Sequence, residues 1–463
     1  MYSLLIYIYQ IGVFIASFFS EKVKKMWQGE QAAFGVLGEK AEKDAEYLWF
    51  HAASLGEFEQ ARPIIERIKQ ETPQEKILLT FFSPSGYEVR KNYEFADIIC
   101  YLPLDTPTNA SRFLKLINIK KAYFIKYEFW WNYLHLLRKK GIPAYSVSSI
   151  FREEQIFFKW YGYQYKRVLR CFTHFFVQNE KSKQLLAQIG ITNVTITGDT
   201  RFDRVKQIQQ QAKVLPIVEE FLKTPSNSPQ GGEGSLASAN EISASVSLKK
   251  FPLGGIGGTF IAGSSWQPDE DIFFRYFAEH PEWKLIIAPH VIGDDHLKEI
   301  EGKLAKYGMK AVYYKTLSNS PQGGEKSLAS TDDLSVSESL KKFPLGGIGG
   351  HVLIINCFGL LSSIYRYGDI TYVGGGFGVG IHNVLEAAVW GKPVFFGPNN
   401  KRFQEAQDLI ATGGGQEITS YEDFVAKMDT LISSADKCKK LGKAAGDYVS
   451  SRCGATDKVL AAT

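Results

Sequence analysis

From residue 45 onward, short runs of apolar residues alternate with stretches whose apolar positions recur at helical spacing. YLWFHA (47–52) has the composition of a buried strand, and GEFEQARPIIERIKQ (56–70) carries its apolar residues on one helical face. KILLTFF (76–82), AYFIKY (122–127), PAYSVSS (143–149), THFFVQN (173–179) and NVTITGD (193–199) read as further strands with helices between them. A second series consists of TFIAGSS (259–265), WKLIIAPH (283–290), MKAVYYK (309–315), HVLIINC (351–357), DITYVGG (369–375) and KPVFFGP (392–398). Strand and helix in alternation predict parallel sheets covered on both faces. The pattern therefore predicts an α/β protein of two Rossmann-like domains, 30–210 and 211–430, followed by helices over 431–463. Ligands of such sheets bind at the carboxyl ends of the strands, so the residues just after each apolar run carry the chemical interest.

The amino terminus follows a different pattern. MYSLLIYIYQIGVFIASFFS (1–20) has no charged side chain and is followed at once by Glu21, Lys22, Lys24 and Lys25. About 20 uncharged, mostly apolar residues suffice for a helix to cross a bilayer core. A cleaved signal would carry its positive charge before the apolar run. The segment is therefore expected to be a membrane-anchor helix, either spanning or interfacial. The lysines after it predict that the rest of the chain is cytoplasmic.

Composition changes the picture in one respect. At 463 residues, 44% hydrophobic and 22% charged, the chain has ample material for globular cores. Many of its 42 glycines, however, fall in two related stretches, 224–258 and 316–350, which are identical at 27 of 35 aligned positions. Two copies do not make a solenoid. Their Gly/Ser-rich composition cannot bury enough apolar surface to order them, so both are expected to be disordered insert loops. The net charge of +5 is mild and no long basic run occurs, which gives no support for nucleic-acid binding. Cysteines 100, 171, 357, 438 and 453 form no CxxC pair, so neither a zinc site nor a disulfide framework is expected.

Three constellations can carry chemistry. In HAASLGEFEQARP a strand ends near Ala52 and Glu57 falls in the first turn of the next helix. There the helix dipole favours its ionised form, so it is either a helix cap or a general base toward a hydroxyl. Lys126 to Asn132 delivers a charged pair, Lys126 and Glu128, beside the aromatics Tyr127, Phe129, Trp130 and Trp131, a mixture found both in sugar sites and in cores. Arg152 follows another strand and suits a carboxylate or phosphate. The third constellation, 373–388, is a strand running into a loop with five glycines before a helix that should open near His382 and Asn383, with Glu386 one turn in. Glycines let backbone approach a phosphate, and a helix N-terminus supplies N–H donors. Ser264 and Ser265, after an earlier strand, add hydroxyls.

With these residues on the page, the sequence resembles the 3-deoxy-D-manno-octulosonic acid (Kdo) transferases, glycosyltransferases of GT-B fold. The resemblance rests on HAASLGEFEQARP, LTFFSPSGYE (79–88), YLPLDTP (101–107), the Glu128 to Asn132 block, GDTRFD (198–203), AGSSW (262–266), APH (288–290) and GGGFGVGIHNVLEAA through GKPVFFGPN. It implies two domains facing a central cleft and inverting transfer of Kdo from CMP-Kdo to a lipid A precursor in lipopolysaccharide core biosynthesis. It also implies a cytoplasmic enzyme body anchored at the inner membrane. On this resemblance Glu57 is the general base and Glu128 a second catalytic acid position. Ser264, Ser265, Pro289, His290, Gly374, Gly375, Gly376, His382, Asn383 and Glu386 surround the donor, and Arg152 and Arg201 face the acceptor or an anion. No metal or cofactor is expected. The chain departs from the family at Ala288, where an arginine stands in many members, and at Trp131, Asn356 and Val379. A UDP-sugar transferase or epimerase of GT-B fold, and a silent membrane-anchored nucleotide-sugar binder, remain the alternatives.

Overall fold

The apolar runs of the first half assemble as expected into one parallel sheet. The computed structural model describes residues 2–212, 214–223, 257–314, 352–357 and 359–463. The two repeated stretches lie outside the described residues, save for Gly257 and Gly258. The described chain divides into two units, residues 1–204 with 452–463, and residues 205–451.

In the first unit the strands are β1 (Glu46–Ala52), β2 (Lys76–Phe81), β3 (Ile98–Tyr101), β4 (Asn118–Ile125), β5 (Ala144–Ser149), β6 (His174–Val177) and β7 (Val194–Ile196). They lie in the order β3-β2-β1-β4-β5-β6-β7, with parallel pairing throughout. The second unit repeats the design with β8 (Thr259–Ser265), β9 (Lys284–Pro289), β10 (Ala311–Tyr314), β11 (Val352–Ile355), β12 (Ile370–Val373), β13 (Val394–Phe396) and β14 (Gly415–Glu417). Their order is β10-β11-β9-β8-β12-β13-β14. Each sheet reverses its winding once, between β1 and β4 and between β8 and β12. At such a switch point adjacent loops leave in opposite directions and open a crevice at the carboxyl ends. Sequence patterning missed only β3 and β14, both edge strands of three or four residues.

Burial explains why the interior strands read as continuous apolar runs. From Tyr47 to Ala52 every residue of β1 is buried, because helices cover both faces of a parallel sheet. Trp49 packs against Phe113, Phe124 and Tyr133 with ring centroids 5.0, 5.1 and 5.7 Å away. Each such pair contributes roughly 0.5–1.5 kcal/mol beyond its area. The last residues return to the first unit. Asp203 accepts from the backbone N–H of Thr456 at 2.7 Å, capping the helix Ala455–Leu460, and Val459 enters the core around β1.

The amino-terminal segment differs from the expected membrane anchor. It is two helices, α1 (Tyr2–Ala16) and α2 (Glu21–Lys40), broken by a turn after Ala16. At about 1.5 Å per residue the 15 residues of α1 reach about 22 Å, short of a hydrocarbon core of roughly 30 Å. No helix among the described residues is long and apolar enough to cross a membrane. The anchor fails as a span because Ser17 and Ser20 sit where the apolar run would have to continue. The Ser17 hydroxyl donates to the carbonyl of Phe14 at 2.6 Å, and Ser20 is the N-cap of α2.

Glu30 of α2 is 1% exposed and accepts one bond, from the Leu104 N–H at 3.3 Å. Burial pushes its carboxyl up to about 8. The folded state thus keeps a proton that the unfolded chain loses near pH 4.5, and this contribution to stability is complete below that pH and lost as pH rises through 8. Glu30→Gln, which carries no titrating proton, is expected to flatten the fall in urea midpoint over that window. An unchanged slope would remove Glu30 from the account.

Candidate active site

At the β1/β4 switch point two carboxylates meet. β1 ends at Ala52, the chain turns through Ser54, and α3 (Leu55–Glu71) begins with Glu57 in its first turn. Ser54 occupies the N-cap position, yet its hydroxyl makes no cap; it donates to Glu57 Oε2 at 2.9 Å. Glu57 is therefore oriented as a side-chain acceptor. Burial first, and then the facing Glu128 carboxylate, hold Glu57 above the usual carboxylate range. The Ser54 hydrogen bond, Lys126 and His51 oppose them. The helix dipole alone predicts a firmly ionised group; desolvation and a like charge outweigh it.

Glu128 follows β4. Its Oε2 accepts from the Trp130 indole N–H at 2.6 Å and meets His51 Nε2 at 3.2 Å. Lys126, one residue past β4, has φ +67. A non-glycine residue in the left-handed region is strained and persists where surrounding structure demands it. Here the turn directs Glu128 back over β1. Tyr127 between them feels Arg152, Glu57, Arg201 and Asp199, so these groups share one locality. Arg152 is exposed, with its guanidinium 5.9 Å from the Tyr127 ring. Arg201 donates to the buried Asp199 at 2.9 Å, and Asp199 also takes a bond from Gln60 at 3.0 Å.

Several contributors were not singled out from the sequence. Asp105 accepts from the N–H groups of Asn132 and Tyr133 at 3.0 and 3.1 Å, satisfying the start of helix Trp131–Lys139 just past the Glu128 turn. It also accepts from the Tyr2 hydroxyl at 2.8 Å, and burial pushes it up to about 7. YLPLDTP was noted as a motif, but only the fold brings Asp105 to the Glu128 block. A cavity of about 180 Å³ lies beside it, bounded by Tyr2 and Ile6 of α1 and by Phe82, Phe129 and Trp130.

In the second unit the β8/β12 switch point brings two strand ends into backbone contact. The Gly374 N–H donates to the Gly263 carbonyl at 2.9 Å, and a Cβ on Gly374 would stand 2.1 Å from the Ser264 carbonyl oxygen. Gly375, at φ +91, turns the chain, and its N–H donates to Asp269 at 3.2 Å. Asp269 also accepts from Trp266 N–H and the Tyr372 hydroxyl, so one buried carboxylate anchors the glycine loop. Ser264 has φ +52, and the buried Ser265 hydroxyl donates inward to Glu270 at 3.0 Å.

Beside the loop, Trp266, His290 and His382 stack in sequence, with centroids 4.8 and 4.3 Å apart. The Trp266 indole donates to His382 Nε2 at 3.2 Å, which assigns that imidazole its Nδ1–H tautomer. Pro289 is buried at the end of β9, and His290 is exposed. Asn383 donates to Glu386 Oε1 at 3.1 Å, and Ser362 donates to its other oxygen. The expected helix after the loop is a single turn, Leu385–Ala388; Gly391, at φ +67, turns the chain out of it, and β13 begins at Val394. A full helix dipole therefore does not point at the loop. The sequence also gave no signal for Arg402, whose guanidinium donates to the Val379 carbonyl and brings a cation to the loop.

Among the described residues no cluster of three metal-ligating side chains occurs. Burial and the neighbouring His290 push His382 down to about 4. An imidazole NMR titration is expected to find it neutral until the pH approaches that value. A midpoint near 6.5 would overturn the buried, indole-bonded assignment.

Comparison with known proteins bears on both sites. Residues 28–204 match the family model described as 3-Deoxy-D-manno-octulosonic-acid transferase (kdotransferase). The 3-deoxy-D-manno-octulosonic acid transferase of Aquifex aeolicus is 24% identical over 85% of this chain and 88% of its own. That of Haemophilus influenzae is 22% identical over 92% and 88%. Among solved structures, UDP-GlcNAc 2-epimerase from Neisseria meningitidis is similar in fold, with a TM-score of 0.55 at 13% identity, over 90% of this chain and 98% of that one.

Proposed function

We propose, on the premise that the chain belongs to the 3-deoxy-D-manno-octulosonic acid (Kdo) transferases, that it moves Kdo from CMP-Kdo to a hydroxyl of a lipid A precursor with inversion at the anomeric carbon. It is a glycosyltransferase of lipopolysaccharide biosynthesis. The observation that carries the finer reading is the Glu57/Glu128 pair at the β1/β4 switch point. A base for an alcohol must be ionised when substrate arrives yet hold a proton well enough to take one, which favours a carboxylate raised above its ordinary range. Glu57 meets this requirement through burial and Glu128. The first unit then serves as the acceptor half and the second as the donor half of a GT-B transferase.

In this reading the acceptor hydroxyl gives its proton to Glu57 as its oxygen attacks the anomeric carbon of Kdo, and the bond to the CMP phosphate breaks. In the second unit the departing charge is offered the Ser264 hydroxyl and the cation of Arg402, which the buried Asp269 and the glycine turn hold in place before the step. Arg402 offers a positive charge on this side of the fold, where Ala288 has none. The neutral Trp266–His290–His382 stack supplies flat surface for a nucleobase without adding charge.

The same reading includes contact with the cytoplasmic face of the inner membrane, by an interfacial helix. Leu4, Ile8, Ile11, Ile15 and Phe18 are 64, 58, 61, 53 and 71% exposed. Their spacing puts them on one face of α1 and its following turn, with exposed Lys22, Lys24 and Lys25 next in the chain. An uncovered apolar stripe beside basic residues suits the boundary of an anionic bilayer.

Two outcomes test this function. Glu57→Gln is expected to lower Kdo transfer by roughly 10²–10⁴-fold while CMP-Kdo binding persists; undiminished transfer would end the general-base assignment, and preference for UDP over CMP in competition binding would favour an epimerase-like site. The double variant Ile8→Glu with Ile11→Glu is expected to abolish cosedimentation with anionic vesicles and leave transfer to a detergent-dispersed acceptor intact. Undiminished vesicle binding would remove α1 from membrane contact.

A further inference from the structure

We propose that His51 is a positioning residue that holds Glu128 as a fixed hydrogen-bond acceptor beside Glu57, with its tautomer set by Trp49 and Thr80. The proposal rests on the reading of Glu57 as general base, and it follows from the donors and acceptors of one buried chain of hydrogen bonds. Trp49, His51 and Thr80 are each fully buried, so none can look to bulk water for a partner. Trp49 and His51 stand two apart on β1 and share a face, and Thr80 lies directly opposite His51 on β2.

The Trp49 indole can only donate, and it does so to Thr80 Oγ1 at 2.8 Å. The hydroxyl proton of Thr80 then has two acceptors in range, His51 Nδ1 at 2.9 Å and the Phe50 carbonyl at 3.4 Å. At the other end of the imidazole, Nε2 faces the Glu128 carboxylate at 3.2 Å. An ionised carboxylate only accepts, so a neutral His51 must carry its proton on Nε2, which leaves Nδ1 as a lone pair. Thr80 fills that lone pair at the shorter of its two distances. Every proton in the chain is thereby assigned in one direction, from Trp49 through Thr80 and His51 to Glu128. Trp130 adds a second donor to the same carboxylate oxygen, and its ring packs edge-on to the imidazole with centroids 5.0 Å apart.

The consequence is electrostatic. Glu57 faces Glu128 and Lys126 from the β4 turn, His51 from β1 and Ser54 from its own turn, with Tyr127, Arg152, Arg201 and Asp199 around them. The doubly ionised Glu57/Glu128 pair is disfavoured by repulsion and by burial. Donors to Glu128 favour its charged form. Losing the His51 donor destabilises the doubly ionised pair, so the upper of its two apparent ionisations rises whichever carboxyl takes the proton. The form able to accept the substrate proton then exists only at higher pH.

The experiment measures kcat and KM for Kdo transfer from pH 5 to pH 9 in the full chain and four variants. His51→Leu, which removes both ring nitrogens, is expected to lower kcat by up to about tenfold on the acid side of neutrality. Its acid limb should move up by about one pH unit, with KM for CMP-Kdo within about twofold. His51→Gln can still donate to Glu128 and is expected to keep the wild-type limb. Thr80→Val, which strips Nδ1 of its donor, should move the limb in the same direction as His51→Leu, and Thr80→Ser should restore it. Equal loss at every pH in both His51 variants, or an unmoved limb in Thr80→Val, overturns the proposal. Imidazole 15N chemical shifts of wild-type protein give a readout independent of activity and of variant folding: the Nε2–H tautomer at His51 supports the relay, and Nδ1–H overturns it. A wild type that transfers no Kdo defeats the proposed function, while the 15N result still decides the tautomer.

Discussion

Two carboxyl groups drawn out of water into one corner repel each other, and the local structure of the first unit around β1 and β4 is organised by that repulsion. Glu57 and Glu128 are neither exposed enough for water to screen them nor each given an arginine of its own. Their charge is instead met by single, directed donors: Ser54 to Glu57, and Trp130 with His51 to Glu128. Such donors stabilise a carboxylate without cancelling its charge; at Glu57, burial and the Glu128 charge outweigh them and hold it above the usual carboxylate range. Lys126 adds an opposing charge at the cost of a left-handed backbone, and Asp105 fixes the helix that starts just beyond. Packing beneath the site serves the same end, since the Trp49 cluster locks the indole that begins the relay.

The second unit solves a different problem with the same topology. Its strand ends approach so closely that Gly374 cannot carry a side chain, and Asp269 ties the next residue down from below. What results is a stiff loop of backbone groups with neutral aromatic rings alongside. The buried Asp269 fixes the geometry of that loop where only a one-turn helix follows it, accepting from three donors.

Legibility in the sequence divides along physical lines. Glu57, Glu128 and the glycine loop could be found because each sits immediately after an apolar run, where a parallel sheet presents its residues to a ligand. His51 and Thr80 could not be told from core residues, since a buried polar side chain inside a strand gives no signal until its neighbour on the next strand is known. Asp105 and Arg402 were equally silent, because each acts on a segment more than twenty residues away. The membrane expectation failed as a span for a local reason: Ser17 and Ser20, the second of them the N-cap of α2, end α1 too early, which hydropathy averaged over twenty residues does not detect.

The sequence by itself determined the α/β class, the two series of buried strands and the strand-end residues, because these follow from periodicity and from the local chemistry of turns. Only the tertiary structure decided which strand ends become neighbours. Pairing β1 with β4 and β8 with β12 brings together residues 71 and 111 positions apart in Glu57 and Glu128, and in Gly263 and Gly374. Strand order is fixed by how whole faces pack, a non-local matter that no window of sequence contains. The raised basicity of Glu57 belongs to that second category as well, since it arises from burial and from a charge on another strand rather than from anything in its own segment.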